Sequence, residues 1–376
     1  LWLPDGTHNF TANDRPCTDR VQNGSGPIGV TINGEDVAYT PDDPDVAGWS
    51  YDVTTSILWL TGAGPFTLSG NDAFGRVCVV VSNDVASTVA LSNLTLTATA
   101  EDQCAFALRQ NAEALLVLAG ENALASGENR AGLEVPPGAS LAITNAPGGG
   151  SLTATSYQYG AGIGGGNNNG VIEGKTIENA GPGGTVNITG GRVTATGGKC
   201  AAGIGGGTGQ QVAGSEGATL TVSGGTVFAI GGAGGAPGIG PGLGNVEEGE
   251  TGDLPDASGT SLFTGGSIRI DGGYAAAAPS NNTERVWCVT VTNFTPNAAV
   301  VVTALGAYGV NDLYADAVGN LYLWLPNDDY AFTAGGFGYT ATVDGAAATA
   351  TRGLPVPVFA TDGSAIVVSG TTLSIT

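Results

Sequence analysis

Gly160-Ala161-Gly162-Ile163-Gly164-Gly165-Gly166 returns as Ala201-Ala202-Gly203-Ile204-Gly205-Gly206-Gly207, then decays to Pro237-Gly238-Ile239-Gly240-Pro241-Gly242. Each phrase belongs to a larger unit. Thr185-Val186-Asn187-Ile188, bracketed by paired glycines, matches Thr219-Leu220-Thr221-Val222, and an eroded third copy runs from Thr260 to Gly273. Ile163 and Ile204 stand 41 positions apart, which suits two turns of a coil of roughly 20 residues each. The alternation inside each unit points one side chain in and the next out. The chain holds 65 glycines, which turn a backbone at no steric cost but are entropically expensive to order, so they call for a regular stack. A right-handed parallel β-helix meets these conditions, each rung pairing its backbone with the rungs about 4.8 Å above and below. The Val/Ile/Leu alternation within the glycine frame argues against the rival reading, a disordered glycine-rich linker.

The 376 residues suffice for a long solenoid and one small domain. The formal charge is −22, with Lys175 and Lys199 the only lysines beside nine arginines. A polyanion would be repelled, so nucleic acid is excluded as a partner. No apolar run reaches the length of a membrane span, which excludes membrane insertion through a helix. Neither a signal peptide nor a Met opens the sequence, so it reads as a mature or excised piece. Cys17, Cys78, Cys104, Cys200 and Cys288 show no metal spacing. Cys78 and Cys104 could face each other on adjacent rungs, and Cys17 and Cys288 both lie outside the solenoid, so each pair could form a disulfide, while the odd count leaves at least one thiol free. Six N-x-S/T triplets, at Asn9, Asn23, Asn93, Asn187, Asn281 and Asn293, are what a chain rich in Asn and Thr carries by chance, and no glycosylation is read from them.

A second repeat joins the two ends. Leu1-Trp2-Leu3-Pro4 through Phe10-Thr11-Ala12 aligns with Leu323-Trp324-Leu325-Pro326 through Phe332-Thr333-Ala334, seven of twelve positions being identical. Val30-Thr31-Ile32-Asn33-Gly34 answers Ala341-Thr342-Val343-Asp344-Gly345. The expected organisation is an N-terminal strand segment over 1–45, a parallel β-helix over 46–283 and a small β-sandwich over 284–376. The N-terminal segment is either a degenerate duplicate folding on its own, the remnant of a longer array, or a strand donor. In the last case Leu1, Trp2, Leu3 and Phe10 would complete the small domain of another copy by strand addition, building a head-to-tail filament. Asp42-Asp43-Pro44-Asp45 marks a linker, and Trp49 and Trp59 are expected to cover the open first rung. Strands are expected at 286–291, 299–303, 321–325, 337–343 and 365–368.

The run Gly120-Glu121-Asn122-Ala123-Leu124-Ala125-Ser126-Gly127, then Ala131-Gly132-Leu133-Glu134-Val135-Pro136-Pro137-Gly138, then Gly150-Ser151-Leu152-Thr153-Ala154-Thr155 and the Gly-Ile-Gly-Gly-Gly phrases resembles a known group. It is similar to the large secreted β-helix proteins of Gram-positive gut and soil bacteria described as carbohydrate-binding domain-containing. The resemblance covers roughly residues 49 to 275. It implies the fold, an extracellular or cell-surface location and a polysaccharide or surface glycan as partner, and it carries no catalytic motif onto this chain.

Chemistry is sought on the insertions that follow each glycine phrase, at 167–183, 208–217 and 243–259. Leaving the same corner, they should stack into one lateral face. That face would carry Asn167, Asn168, Asn169, Glu173, Lys175, Glu178, Gln210, Gln211, Glu216, Glu247, Glu248 and Glu250, with Tyr157 and Tyr159 just before it. Amides and carboxylates bond sugar hydroxyls, and tyrosine rings stack on pyranose faces. Ordinary solvated loops have the same composition. No Asp lies between Asp102 and Asp253, which excludes a pectinase-like aspartate set, whereas a glycan-cleaving hydrolase or lyase using loop glutamates stays open. The lone His8 makes no catalytic triad. No cofactor is implied, with Ca²⁺ conceivable at Asp42-Asp43-Asp45, at Asp312 and Asp316, or at Asp328-Asp329, where solvated turns are the commoner meaning. Thr97-Ala98-Thr99, Thr153-Ala154-Thr155 and Thr194-Ala195-Thr196 outline the Thr-x-Thr ladder of an ice-binding face, broken at Ala229-Ile230; threonine also favours strands generally.

Overall fold

A computed structural model describes residues 6–12, 15–21, 28–38, 44–166, 171–172, 175–176, 181–210, 214–245, 259–273, 278–309, 312–355, 358–359, 366–368 and 371–373. At 6–12, 15–21, 171–172, 175–176, 210, 245 and beyond 355 only the backbone is described. The protein is all-β, and two large sheets dominate it. The short-strand sheet runs Trp49–Asp52, Ile57–Leu60, Cys78–Val81, Phe106–Leu108, Leu133–Glu134, Ile163–Gly164, Ile204–Gly205, Ile239–Gly240. The long-strand sheet takes the segments between them, from Phe66–Asp72 through Ala86–Thr97, Glu113–Ala125 and Ser140–Thr155 to Thr219–Ile230 and Thr260–Asp271. Each pass of the chain therefore adds to both sheets, the pass between Ile163 and Ile204 giving the long-strand sheet two strands, Thr185–Ile188 and Arg192–Thr196, and within the stack every pairing from Ile57–Leu60 onward is parallel.

The opening phrase earns its place in this stack. Leu58, Val79, Phe106, Leu133, Ile163, Ile204 and Ile239 pair in succession and form one inward column, each at 2% exposure or less. Facing it across the core is the column Phe66, Val89, Leu116, Ile143, Ile188, Val222, Phe263. Because like side chains lie on like side chains, the alternation repeats pass after pass, and their burial is the main stabilising term. Ile163 pairs directly with Ile204, so the 41-residue period is one pass rather than two turns of about 20. The insertion after Gly166 lengthens a pass that otherwise runs from Val79 to Phe106 and from Phe106 to Leu133. Glycine is required beside the column: Gly205 sits at φ +144, and a Cβ there would run into the carbonyl oxygen of Gly240.

Polar side chains are admitted where they bond between passes. Asn122, 3% exposed, accepts from Leu94 N–H at 2.9 Å and donates to the carbonyls of Ser151 at 3.0 Å and Ala119 at 3.2 Å, tying three consecutive long strands.

Both ends of the stack are covered. At the first pass Trp49–Asp52 runs antiparallel to Ile57–Leu60; Trp49 is buried, and half-buried Trp59 lies under the Arg109 guanidinium at 5.8 Å. Val30–Ile32 runs antiparallel to Phe66–Asp72, with Val30, Ile32 and Val37 fully buried in the main core. Buried Asp72 accepts from Val77 N–H at 2.7 Å and from Arg76, whose other arm donates to the Ile28 carbonyl at 2.7 Å. Residues 28–38 thus belong to the stack. Residues 39–43 of the expected linker lie outside the described residues, and Pro44–Ala47 is one helical turn.

The last pass carries the C-terminal unit. Trp287–Val291 pairs with Leu321–Leu325 and Ala348–Thr349, while Val302–Thr303, Asp328–Ala334, Phe337–Val343 and Thr351–Pro355 form a second sheet around a shared core of Val289, Leu323, Phe332 and Tyr339. Strands 321–325 and 337–343 match expectation. Asp328 and Asp329, expected in a solvated turn, instead open the strand Asp328–Ala334, whose buried face is Phe332 and Ala334. At the other end, Gly6–Ala12 pairs antiparallel with Arg15–Val21. Gly6↔Val21 and Ala12↔Arg15 correspond to Asp328↔Val343 and Ala334↔Phe337, so the two hairpins share one register. Val30–Gly34 is therefore not the counterpart of 341–345, since Arg15–Val21 already occupies that place.

Candidate functional site

The insertions leave the short strands side by side. Gly181 N–H bonds the Gly166 carbonyl at 2.9 Å, Gly207 N–H bonds Gly181 at 3.2 Å, Gly183 N–H bonds Glu216 at 3.2 Å and Gly242 N–H bonds Ser215 at 2.9 Å. Gly209–Gln210 runs parallel to Gly244–Asn245. Their roots form a small layer of their own on the outside of the short-strand sheet. The residues lining it are almost all glycine, since backbone lies directly on backbone.

The candidate side chains distribute around these roots. Glu216 is exposed, and Tyr157 is 75% exposed on the corner that precedes Ile163. Tyr159 is half-buried; its N–H bonds the Glu128 carbonyl at 3.0 Å and its carbonyl accepts from Thr208 at 2.9 Å, which ties this corner to the start of the second insertion. Lys175 lies on a two-residue strand paired with Val171–Ile172, and Gln210 on the strand beside Gly244–Asn245. The side chains of Lys175 and Gln210, and Asn167, Asn168, Asn169, Glu173, Glu178, Gln211, Glu247, Glu248 and Glu250 altogether, lie outside the described residues. So do Leu1, Trp2 and Leu3; Phe10 is described by its backbone, opposite Cys17.

Beneath the first root lies a pair that sequence reasoning missed. Arg130 and Glu134 form an ion pair at 2.6 Å with side chains only 11% and 8% exposed. Glu134 takes the outward position held by Ala107 before it and by Gly164, Gly205 and Gly240 after it. The Glu134 charge raises the Arg130 pKa against the opposing effect of burial. A charge taken out of water stays ionised only when paired in this way. The available signal was the single charged residue in an otherwise apolar and glycine column. Glu134 is locked beneath Gly166 and is not presented to solvent as a general acid.

A second polar cluster holds the C-terminal unit to the stack. Arg269 on the last long strand bonds Asp271 at 3.0 Å and Asp316 at 3.2 Å. Asp316 also accepts from Tyr322 Oη at 2.8 Å and from the amides of Val318 and Asn320 at 2.9 Å. Burial alone would raise the Asp316 pKa, but these donors together with Arg269 hold it below the ordinary value. With its oxygens so engaged, Asp316 has little left for Ca²⁺ beside Asp312. Asp328 accepts from the Asp329 amide, and Asp329 accepts from Thr342. Among the described residues no three His, Cys, Asp or Glu side chains come together to hold a metal.

The threonine ladder is shorter than its sequence suggests. Thr95 and Thr97, not Thr97 and Thr99, lie in register with Ala123 and Ala125, followed by Thr153 and Thr155, Thr194 and Thr196, then Phe228 and Ile230. Only two adjacent passes carry the motif. Cys78, Cys104, Cys200 and Cys288 are free thiols, so neither of the two possible pairings is formed. The Cys104 thiol instead donates to the carbonyls of Phe106 and Ala131. Among the described residues no helix is long and apolar enough to cross a membrane.

No protein-family model, curated protein or solved structure matches the chain.

Proposed function

We propose that this chain is an extracellular structural and adhesive module: a right-handed parallel β-helix closed by a small β-sandwich, joined head to tail with further copies, and binding glycan through its lateral loop face. The observation that carries the reading is the hairpin that stands in one register near both ends of the chain. The C-terminal copy is flanked by Val302–Thr303 and Thr351–Pro355, whereas the N-terminal copy pairs with no further strand among the described residues. A two-stranded hairpin alone is marginal in water and gains stability from additional strands or a packing surface. A second copy supplies both through strand addition. Covered stack ends favour the same reading, because they direct association away from the parallel edges and toward the hairpin. The exposed side chains of Tyr157 and Glu216 support the glycan side of it. The resemblance to secreted carbohydrate-binding β-helix proteins agrees in location and partner class.

The test is light scattering with negative-stain imaging across a concentration series, on the full chain and on a chain lacking residues 1–21. End-to-end particles that lengthen with concentration and vanish on deletion are expected. A monomer at every concentration would remove the head-to-tail reading.

A further inference from the structure

The strand Ser140–Thr155 carries a feature no other pass shows. Its pairing with Glu113–Ala125 steps from Leu118↔Asn145 directly to Gly120↔Gly150, so four residues, 146–149, stand opposite Ala119 alone. They form a lip that overhangs the C-terminal unit, with Gly149 so close to Tyr314 that a Cβ on it would lie 3.2 Å from the phenol oxygen. Lip and unit enclose a groove of about 630 Å³, lined among others by Asn145, Gly149, Ala299, Val301, Asp312 and Tyr314. That volume falls within the range of small-ligand sites.

The lining is chemically selective. Val301 is 72% exposed between buried Val300 and Val302, an apolar side chain turned outward with no core to serve. Tyr314 is fixed in place, its N–H bonding Thr226 Oγ1 at 2.8 Å and its ring lying under the Arg192 guanidinium at 5.2 Å. The side-chain amide of Asn145, the carboxylate of Asp312 and the hydroxyl of Tyr314 make no hydrogen bond with any described residue. Donors and acceptors of both kinds thus border an aromatic edge and an apolar spot, the combination that meets the hydroxyls and the C–H faces of a sugar ring. The one cation at this border, Arg192, is turned onto the Tyr314 ring, one carboxylate lines the groove, and the chain carries −22 overall, so an anionic ligand is disfavoured.

We propose that this groove is a second binding site of the molecule, for a short neutral oligosaccharide. The inference rests on the glycan-binding reading above and adds a site distinct from the lateral loops. It is tested by titrating the full chain with neutral tetrasaccharides of β-1,4-glucose, β-1,4-xylose, α-1,4-glucose and β-1,4-N-acetylglucosamine, and with tetragalacturonate, following ligand saturation-transfer NMR and calorimetry. At least one neutral tetrasaccharide should bind. Tyr314→Phe and Asn145→Ala should each weaken it about tenfold, the worth of one well-placed hydrogen bond. Val301→Trp, which fills the groove from an exposed position without touching a core, should abolish binding while leaving the melting temperature unchanged. Binding that Tyr157→Ala abolishes and the groove variants leave intact would overturn the groove and spare the lateral face. Tighter binding of tetragalacturonate would overturn the neutral class, and no binding by any probe would overturn both the groove and the glycan reading.

Discussion

Trp324 stands edge-on to Phe263, ring centroids 5.1 Å apart and planes at 67°. Phe263 ends the inward column that begins at Phe66, and Trp324 also donates its indole N–H to the Ile268 carbonyl at 2.9 Å. One aromatic residue of the C-terminal unit thus closes the apolar end of the stack and occupies a carbonyl of its last strand. Without it the final pass would expose a column built to be covered.

Trp324→Ala should therefore destabilise the stack by about 3 kcal/mol, the scale of truncating a large packed aromatic. Trp324→Phe, which keeps a ring and loses the hydrogen bond, should cost about 1 kcal/mol. Chemical denaturation gives both values, and hydrogen exchange should quicken first in Thr260–Asp271. Unchanged exchange in that strand would show that the cap is not the source of its stability.

Asn122 bridges three long strands with both ends of its amide. Asn122→Leu fills similar volume but leaves the Leu94 N–H and the Ser151 and Ala119 carbonyls without that partner. Each buried polar group stripped of its partner costs about 1–3 kcal/mol, so the variant should lose at least 2 kcal/mol of stability in urea unfolding. Asn122→Asp, which keeps the acceptor and replaces the donor with a buried charge, should fall further at pH 7 than at pH 3. Equal losses at the two pH values would remove the assigned bonding.

The sequence made the inward column legible, because isoleucine in a glycine frame repeats visibly at 163, 204 and 239. It did not reveal the pass length: an insertion inside a period looks the same as an extra turn, and only the Ile163↔Ile204 pairing separates them. The C-terminal strands 321–325 and 337–343 follow from plain alternation, whereas Asp328–Ala334 opens on two exposed aspartates that read as a turn. Of the candidate site, the shared exit of the insertions was legible from the repeated phrase. The Arg130–Glu134 pair was visible only as a lone charge in an apolar column. The contacts of Trp324 with Ile268 and of Asp316 with Arg269 span 56 and 47 positions, beyond any local pattern.

Cys78 and Cys104 are buried thiols, and burial, the leading cause, pushes Cys78 up to about 11 and Cys104 higher still. Cys288 is likewise pushed up to about 11 by burial. Thiolate is the reactive form, so at pH 8 all three should resist iodoacetamide in the native protein and react fully in denaturant. Peptide mapping by mass spectrometry reads the sites one by one. A Cys78–Cys104 disulfide found under non-reducing conditions would contradict the thiol assignment.

The junction should loosen in acid through Asp316. Its pKa in the folded protein lies below the ordinary 3.8, because the Asn320 and Val318 amides, the Tyr322 hydroxyl and Arg269 outweigh the effect of burial. A carboxyl depressed by folding contributes stability that is fully present above its unfolded pKa and is lost as pH falls through its folded value. Arg269 remains charged throughout, held up by Asp271 against the opposing effect of burial. Asp316→Asn removes the titrating group while keeping a side chain of the same shape. The wild type should be the more stable protein at pH 6, and its advantage should shrink progressively below about pH 4 as pH falls toward the folded value. Unfolding by urea at half-unit steps from pH 6 to 2 measures the difference directly. Curves that stay parallel down to pH 2 would mean that the Asp316 carboxylate contributes nothing to holding the C-terminal unit on the stack.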